Sequence, residues 1–459
     1  MKNVEKIKQK EAKQLTYWKN VRDKKAMPGI MVISLILCGL IRLIDDFASS
    51  ISGSVQSALA AEFFPHLELA EAVGIAGSIG TASILFSIVA VLLVILADTY
   101  GRKRLLILSA FGIGAGMLVC AWSPNYAIYV VGGALVTLFV STDFHGLYIM
   151  EVAPDDKRSM FGAVASIIGY AGGMLVAVGR MVFTTEDGTI QWRMIYLIPA
   201  IAAVLLGVLT TLFSSEPKVF VDRRIAILST PLEERIAKEK ELKGKQVGLK
   251  FAYKYIFSHK LTRVMVIAGF FQSAAIMAFT GYYESIMTEA WGTSLETTNM
   301  ISQAIFIAPV GAAVSAIIIG WIGDKFGRKP SCVYASVTAF VLLFVFITAT
   351  NQRWNPYIIG LIYGLEMGAF WGYGNNVGLA KNEVVPTEIR AATTTAIGIM
   401  TLPVTILSGI VISVLIAITG KIATTCLIWG AVCLGISMVI YTIWGKETKG
   451  ADLNNVISD

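Results

Sequence analysis

The chain has 459 residues, of which 55% are apolar and only 15% charged, and its mean hydropathy is +0.68. An average soluble domain is about one quarter charged. A soluble chain of this length would need polar surfaces for roughly three domains, so that class is excluded. The 38 basic and 31 acidic side chains give a net charge of +7, and what that balance means depends on where the basic residues lie.

In chain order, residues 1–28 form a basic tail in which Glu5, Glu11 and Asp23 oppose nine Lys and Arg. It reads as a solvated tail in preference to an interfacial amphipathic helix. Twelve apolar runs follow, at 29–52, 74–96, 105–122, 127–150, 160–182, 193–213, 262–283, 299–320, 331–349, 356–380, 392–417 and 423–444. About 20 apolar residues cross a bilayer as a helix. The runs are continuous and do not alternate, which favours helices over barrel strands. The first run is too long for a signal-peptide core and carries internal charges. The polar stretch 214–261 divides the runs six and six. The expected layout is therefore a tail (1–28), a six-helix bundle (29–213), a cytoplasmic central loop (214–261), a second six-helix bundle (262–444) and a tail (445–459).

Of the 38 basic residues, 33 fall in the termini and alternate loops that share one side. The opposite loops carry Glu62, Glu68, Glu71, Glu186, Asp187, Glu289 and Glu296. Basic loops mark the cytoplasmic side, so both termini are expected there, in a multi-pass protein of the plasma membrane, and nucleic acid drops out as a partner. Tyr and Trp pairs near the run ends, such as Trp122 with Tyr126 and Tyr129, and Trp192 with Tyr196, read as interface anchors. The five cysteines lie in apolar runs without CxxC spacing, which reads as packing with no disulfide or metal site.

The halves echo one another. Glu151-Val-Ala-Pro-Asp-Asp-Lys-Arg158 and Glu383-Val-Val-Pro-Thr-Glu-Ile-Arg390 share E-V-x-P-x-x-x-R, and Asp98-Thr-Tyr-Gly101-Arg102-Lys103 matches Asp324-Lys-Phe-Gly327-Arg328-Lys329. Two motifs repeated in order point to a duplicated six-span unit, the layout of a secondary transporter. On these motifs the chain resembles the major facilitator superfamily. Ser215-Glu216-Pro217-Lys218, Glu447-Thr448-Lys449-Gly450 and Gln272 followed by Tyr282-Tyr283 resemble its sugar-porter branch. Val94 stands where the first loop motif has its glycine, whereas the second copy is complete from Gly320.

The glycines Gly101 and Gly327 permit tight turns. They bring Asp98, Arg102, Asp324 and Arg328 within reach of Glu151, Arg158, Glu383 and Arg390. The resemblance implies a gating role for these loops; the alternative is that they only anchor and turn the chain.

Charges inside a membrane are costly and ask for a reason. Those in the runs are Arg42, Asp45, Asp46, Asp143, His145, Arg180 and Glu366. Arg42 reaches Asp45 at i+3 and Asp46 at i+4, either as a self-neutralised cluster or as a site where one Asp exchanges its Arg for a proton or an anionic solute. In a continuous helix Asp143 and His145 would point roughly 200° apart. Glu366 is flanked by Gly364 and Gly368, which would let other groups approach it, and Arg180 near an outer end would snorkel or touch solute. No phosphate loop, metal cluster or nucleophile constellation is present, so neither a cofactor nor an enzyme is expected.

The sequence therefore points to a monomeric all-α transporter with twelve transmembrane helices in two pseudo-symmetric bundles. It would carry a small organic solute with a proton. Arg42 beside two aspartates favours a carboxylate-bearing metabolite, with a sugar or polyol as the alternative. A non-transporting receptor on the same fold is the competing class.

Overall fold

The computed structural model describes residues 2–23, 29–87, 89–90, 93, 100–153, 158–231, 234–235 and 248–449. These are helical throughout, apart from turns and one isolated bridge between Thr184 and Ile190. The N-terminal segment is α1 (Lys2–Asp23). The first half contains α2 (Ile30–Ser54), α3 (Gln56–Phe63), α4 (Leu69–Gly80, extended by a 3-10 turn over Thr81–Phe86), α5 (Arg102–Ala121), α6 (Tyr126–Val140), α7 (Phe144–Val152), α8 (Arg158–Val182) and α9 (Trp192–Phe213). Two connecting helices follow, α10 (Lys218–Ser229) and α11 (Leu249–Ser258). The second half contains α12 (Lys260–Thr280), α13 (Tyr283–Trp291), α14 (Leu295–Phe326), α15 (Arg328–Asn351), α16 (Pro356–Glu383), α17 (Thr387–Thr419) and α18 (Ile422–Trp444).

Among the described residues, ten helical stretches are long and apolar enough to cross a membrane. The long helices α2 and α16, which carry charged and amide side chains, lie outside that set. Large apolar side chains point outward, with Ile317 72% and Ile418 76% exposed, as a lipid-facing surface requires. Contacts in one half recur in the other. In the first half α2 packs on α8 and α9, as α12 packs on α17 and α18 in the second; α5 packs on α6 and α9, as α15 packs on α16 and α18. The halves meet where α4 packs on α17 and α8 on α14.

One expected span is broken, and two others turn at or just beyond their expected ends and run on. The first span ends at Ser54, turns at Val55 (φ −125°, ψ 18°) and resumes as α3. The fourth, expected over 127–150, breaks at residues 141–143. There Thr142 Oγ1 donates to Phe139 O at 2.6 Å, and short polar side chains compete for helix acceptors in this way. The seventh, expected to stop at 283, turns at Tyr282 (φ −118°, ψ 10°) and continues as α13 to Trp291.

Two surface expectations are corrected. The N-terminal tail is a helix docked on α10, with Trp18 3% exposed and edge-on to Phe220 at 5.3 Å. Glu11 pairs with Arg235 at 2.5 Å. Trp122 is 70% exposed, as an interface anchor would be, but its expected companions pack into a buried group: Tyr129 and Tyr196 share a 2.7 Å hydrogen bond, and the Trp192 indole donates to Glu62 at 2.6 Å. They come from the ends of helices that converge on Phe63, and mutual burial outweighs the pull of an interface. All five cysteines are free and buried.

Candidate functional site

A cavity of about 620 Å³ lies between the halves. Its wall takes Ser50 from α2, Tyr129 from α6, Thr280 and Tyr283 from either side of the α12–α13 break, and Tyr363 and Trp371 from α16. Among the described residues, no Asp, Glu, Lys, Arg or His lines it. Hydroxyls and ring faces can orient a small neutral molecule, whereas an ion entering here would find no opposite charge to offset its lost hydration.

One turn before Ser49 on α2, five ionisable side chains converge. Arg42 Nη2 donates to Asp46 Oδ2 at 2.9 Å, and Nη1 lies 3.9 Å from Asp45 Oδ2 and 2.7 Å from His145 Nε2. The same Nε2 is 2.9 Å from Asp143 Oδ1. The 200° separation expected of Asp143 and His145 does not arise, because the helix breaks before α7. Asp143 is its N-cap residue, left-handed at φ 46°, and its carboxylate folds back toward His145. The cluster runs from Asp45, 3% exposed, to the Asp143 side chain, 70% exposed.

Nε2 of His145 cannot serve both neighbours at once. A guanidinium only donates, so Nε2 must offer its lone pair to Arg42; to bond Asp143 it must carry a proton. One atom thus chooses between a cation and an anion according to its protonation.

On α8, Gly169 faces this cluster. A Cβ there would collide with Asp46 Oδ2 and lie 2.8 Å from Arg42 Nε, so a side chain at this position would force these groups or α8 to shift.

The other expected site residues lie elsewhere. Glu366 is fully buried in the second half, and among the described residues neither carboxylate oxygen has a hydrogen-bond partner. Its flanking glycines admit backbone and no ligand: a Cβ on Gly364 or Gly368 would strike the Ala308 or Ala312 carbonyl of α14. Gln272 lies against Gly374 of α16. Tyr282 is buried, its hydroxyl 2.6 Å from Ser413 Oγ, and its neighbour Tyr283 is the one that lines the cavity. Arg180 is fully buried and paired with Glu284 across the halves at 3.3 Å, so it does not snorkel.

The repeated motifs gather at one end, here called the motif end. In each half a glutamate caps the helix that follows the turn glycine. Glu216 accepts from the backbone N–H groups of Arg102 (2.8 Å) and Lys103 (3.1 Å). Glu447 does the same for Arg328 (2.7 Å) and Lys329 (2.9 Å). Gly101 (φ 102°) and Gly327 (φ 110°) are left-handed, and a Cβ on either would collide with its glutamate or come within 2.6 Å of it. Burial pushes the Glu216 carboxyl up despite those donors. At Glu447 burial is outweighed by the N–H groups of Lys329, Lys449, Arg328 and Thr448, which hold the carboxyl below the usual range.

Arg102 pairs with Glu151 at 2.7 Å and Arg328 with Asp324 at 3.1 Å and Glu383 at 3.4 Å. Arg390 Nη2 donates to Val385 O at 3.0 Å. Asp98 lies outside the described residues, as does the side chain of Arg158, whose backbone opens α8. Glu447→Ala should cost about 1 kcal/mol at the start of α15. Amide exchange at Arg328 and Lys329 should then rise about fivefold, with α5 unchanged; equal exchange in variant and parent would refute the capping role.

Sequence reasoning missed Glu284, Gly169 and the capping glutamates. Glu284 had a signal: it is followed by Ile286 and Met287, an apolar continuation that a loop would not show. Gly169 was indistinguishable from packing glycines nearby.

Residues 47–406 match the family model for the Major Facilitator Superfamily. The chain is 23% identical over 382 residues to the probable metabolite transport protein CsbC of Bacillus subtilis, covering 78% of this chain and 80% of that one. It is 24% identical over 381 residues to the glucose transporter GlcP of Staphylococcus epidermidis, covering 79% and 83%. The solved D-xylose-proton symporter superposes with a TM-score of 0.66 at 17% identity, over 93% of this chain and all of that one. The chain therefore belongs to the Major Facilitator Superfamily and is a multi-pass membrane transporter, not an enzyme.

Proposed function

We propose that this transporter carries a small neutral, hydroxyl-bearing solute together with a proton, by alternating access of two six-helix bundles. The observation that carries this reading is the juxtaposition of an uncharged chamber with an ionic cluster one helical turn away. The chamber offers a solute hydroxyl partners and ring faces but no counter-ion. The cluster offers a proton several carboxylates and one imidazole.

The sequence favoured a carboxylate-bearing solute held by Arg42. In the structure Arg42 faces Asp46 and His145, so a solute carboxylate would have to displace one of them. A sugar or polyol requires no such displacement. The relatives that transport glucose and xylose support this choice.

In the proposed cycle, neutral His145 accepts from Arg42, which in turn holds Asp46. A proton arriving at Nε2 turns it toward Asp143 and frees the guanidinium, so charge rearranges beside the chamber. The Arg102–Glu151 and Arg328–Asp324–Glu383 groups steady the motif end of each bundle. Twelve spans, both termini cytoplasmic and a monomer in the plasma membrane complete the proposal.

Uptake of radiolabelled sugars, polyols and mono- and dicarboxylates into proteoliposomes tests the solute class. Saturable uptake of a neutral polyhydroxyl compound, uncompeted by carboxylates, is expected. Saturable uptake of carboxylates alone would overturn it, and binding without uptake of any solute would favour a receptor.

A further inference from the structure

Opposite the motif end, Arg180 of α8 ties together four helices. Its Nε donates to Ser302 Oγ on α14 at 3.2 Å. Its Nη1 donates to the Ser54 carbonyl at the end of α2 and lies 3.3 Å from Glu284 Oε1 on α13. Glu284 Oε2 in turn accepts from the backbone N–H (3.0 Å) and hydroxyl (2.8 Å) of Ser57. That N–H belongs to the first turn of α3, where the break at Val55 leaves backbone donors without helical acceptors. A carboxylate from the second half thus completes a break in the first. Beside it Ser54 Oγ and Tyr283 OH share a 2.6 Å hydrogen bond, and both residues line the cavity.

We propose that Arg180 and Glu284 are the latch that closes this far end over the solute chamber, and that its strength sets the ratio of far-end-closed to far-end-open molecules. Both residues are essentially inaccessible, at 0% and 1% exposed. Two charges are held out of water only while each satisfies the other. When the halves part, water reaches both and solvates them separately. The pair therefore has two satisfied arrangements, the property that a two-state gate requires. Among the described residues, Arg180 Nη2 has no hydrogen-bond partner in the closed arrangement. Water satisfies that donor on opening, which keeps the closed state from becoming a trap. The pair crosses between the halves, beside the Ser54 and Tyr283 side chains that line the chamber.

The test measures distances between spin labels in reconstituted full-length protein, with the five buried cysteines replaced. One label pair, at His66 and Gln352, spans the far end; another, at Asp222 and Lys325, spans the motif end, and all four positions are exposed. Glu284→Gln should raise the far-end-open population at least about tenfold. The 66–352 distances should lengthen while the 222–325 distances shorten. The exchanged pair, Arg180→Glu with Glu284→Arg, should restore part of the parent distribution. Ser57→Ala, which removes only one donor, should shift the populations less and in the same direction, and gives a readout if Glu284→Gln does not fold. Parent-like distances in Ser57→Ala and in folded Glu284→Gln would overturn the latch, as would an exchanged pair no closer to the parent than the single variant. Neither solute nor proton enters this readout, so its failure leaves the proposed transport function standing.

Discussion

Replacing Asp46 with Asn should abolish accumulation driven by an imposed pH gradient while leaving downhill equilibration of the same solute. Asn keeps the shape and can still accept from Arg42, but it has no charge to hold the guanidinium once a proton on His145 releases it. A charge-assisted hydrogen bond contributes about 1.5–3 kcal/mol, and its loss frees Arg42 toward His145 and Asp45. At one proton per solute, a gradient of one pH unit supports about tenfold accumulation. The variant should fall to a ratio near one in proteoliposomes. Asp45 is farther from the guanidinium, 3.9 Å against 2.9 Å for Asp46, so Asp45→Asn should lose part of the accumulation. Full gradient-driven accumulation in both variants would remove the α2 carboxylates from the coupling mechanism.

The second large effect is expected at a residue that carries no charge. Gly169→Ala places a methyl group where Asp46 Oδ2 sits, so the Arg42–Asp46 pair must open or α8 must retreat from α2. Overpacking of this kind costs about 1–3 kcal/mol. Coupling should fall about as far as in Asp46→Asn. If the methyl acts through that pair, the double variant Gly169→Ala/Asp46→Asn should be no worse than Asp46→Asn alone, since coupled sites are not additive. Additive loss would mean that Gly169 serves general helix packing, and an unchanged accumulation ratio would show that the close approach does not matter.

Much of the architecture was legible because the membrane imposes one rule, long apolar helices joined by polar turns. The duplicated motifs exposed the internal repeat, and the charged residues of α2 stood out against an apolar background. What stayed hidden depended on backbone breaks. Asp143 and His145 could meet only once the helix stopped at Val140, and a periodicity argument presumes continuity. Glu284 lay beyond the expected end of its span, since Tyr282 and Tyr283 resemble an interface where the chain in fact only kinks. Gly169 was invisible for another reason: a glycine's role is set by what approaches it, and Asp46 comes from a different helix. The glutamates of the two tail motifs were seen as matching patterns. Their capping role needed the fold, which carries residues 114 and 119 positions apart onto one helix start in each half.

Coupling between solute and proton is the central claim, and proton flux tests it most directly. Proteoliposomes loaded with a pH-sensitive dye, at equal pH on both sides, would receive the neutral solute identified by uptake. The interior should acidify as solute enters, in proportion to solute taken up, and Asp46→Asn should take up solute without acidification. Saturable solute entry into liposomes carrying the parent protein, with no movement of internal pH, would contradict the account.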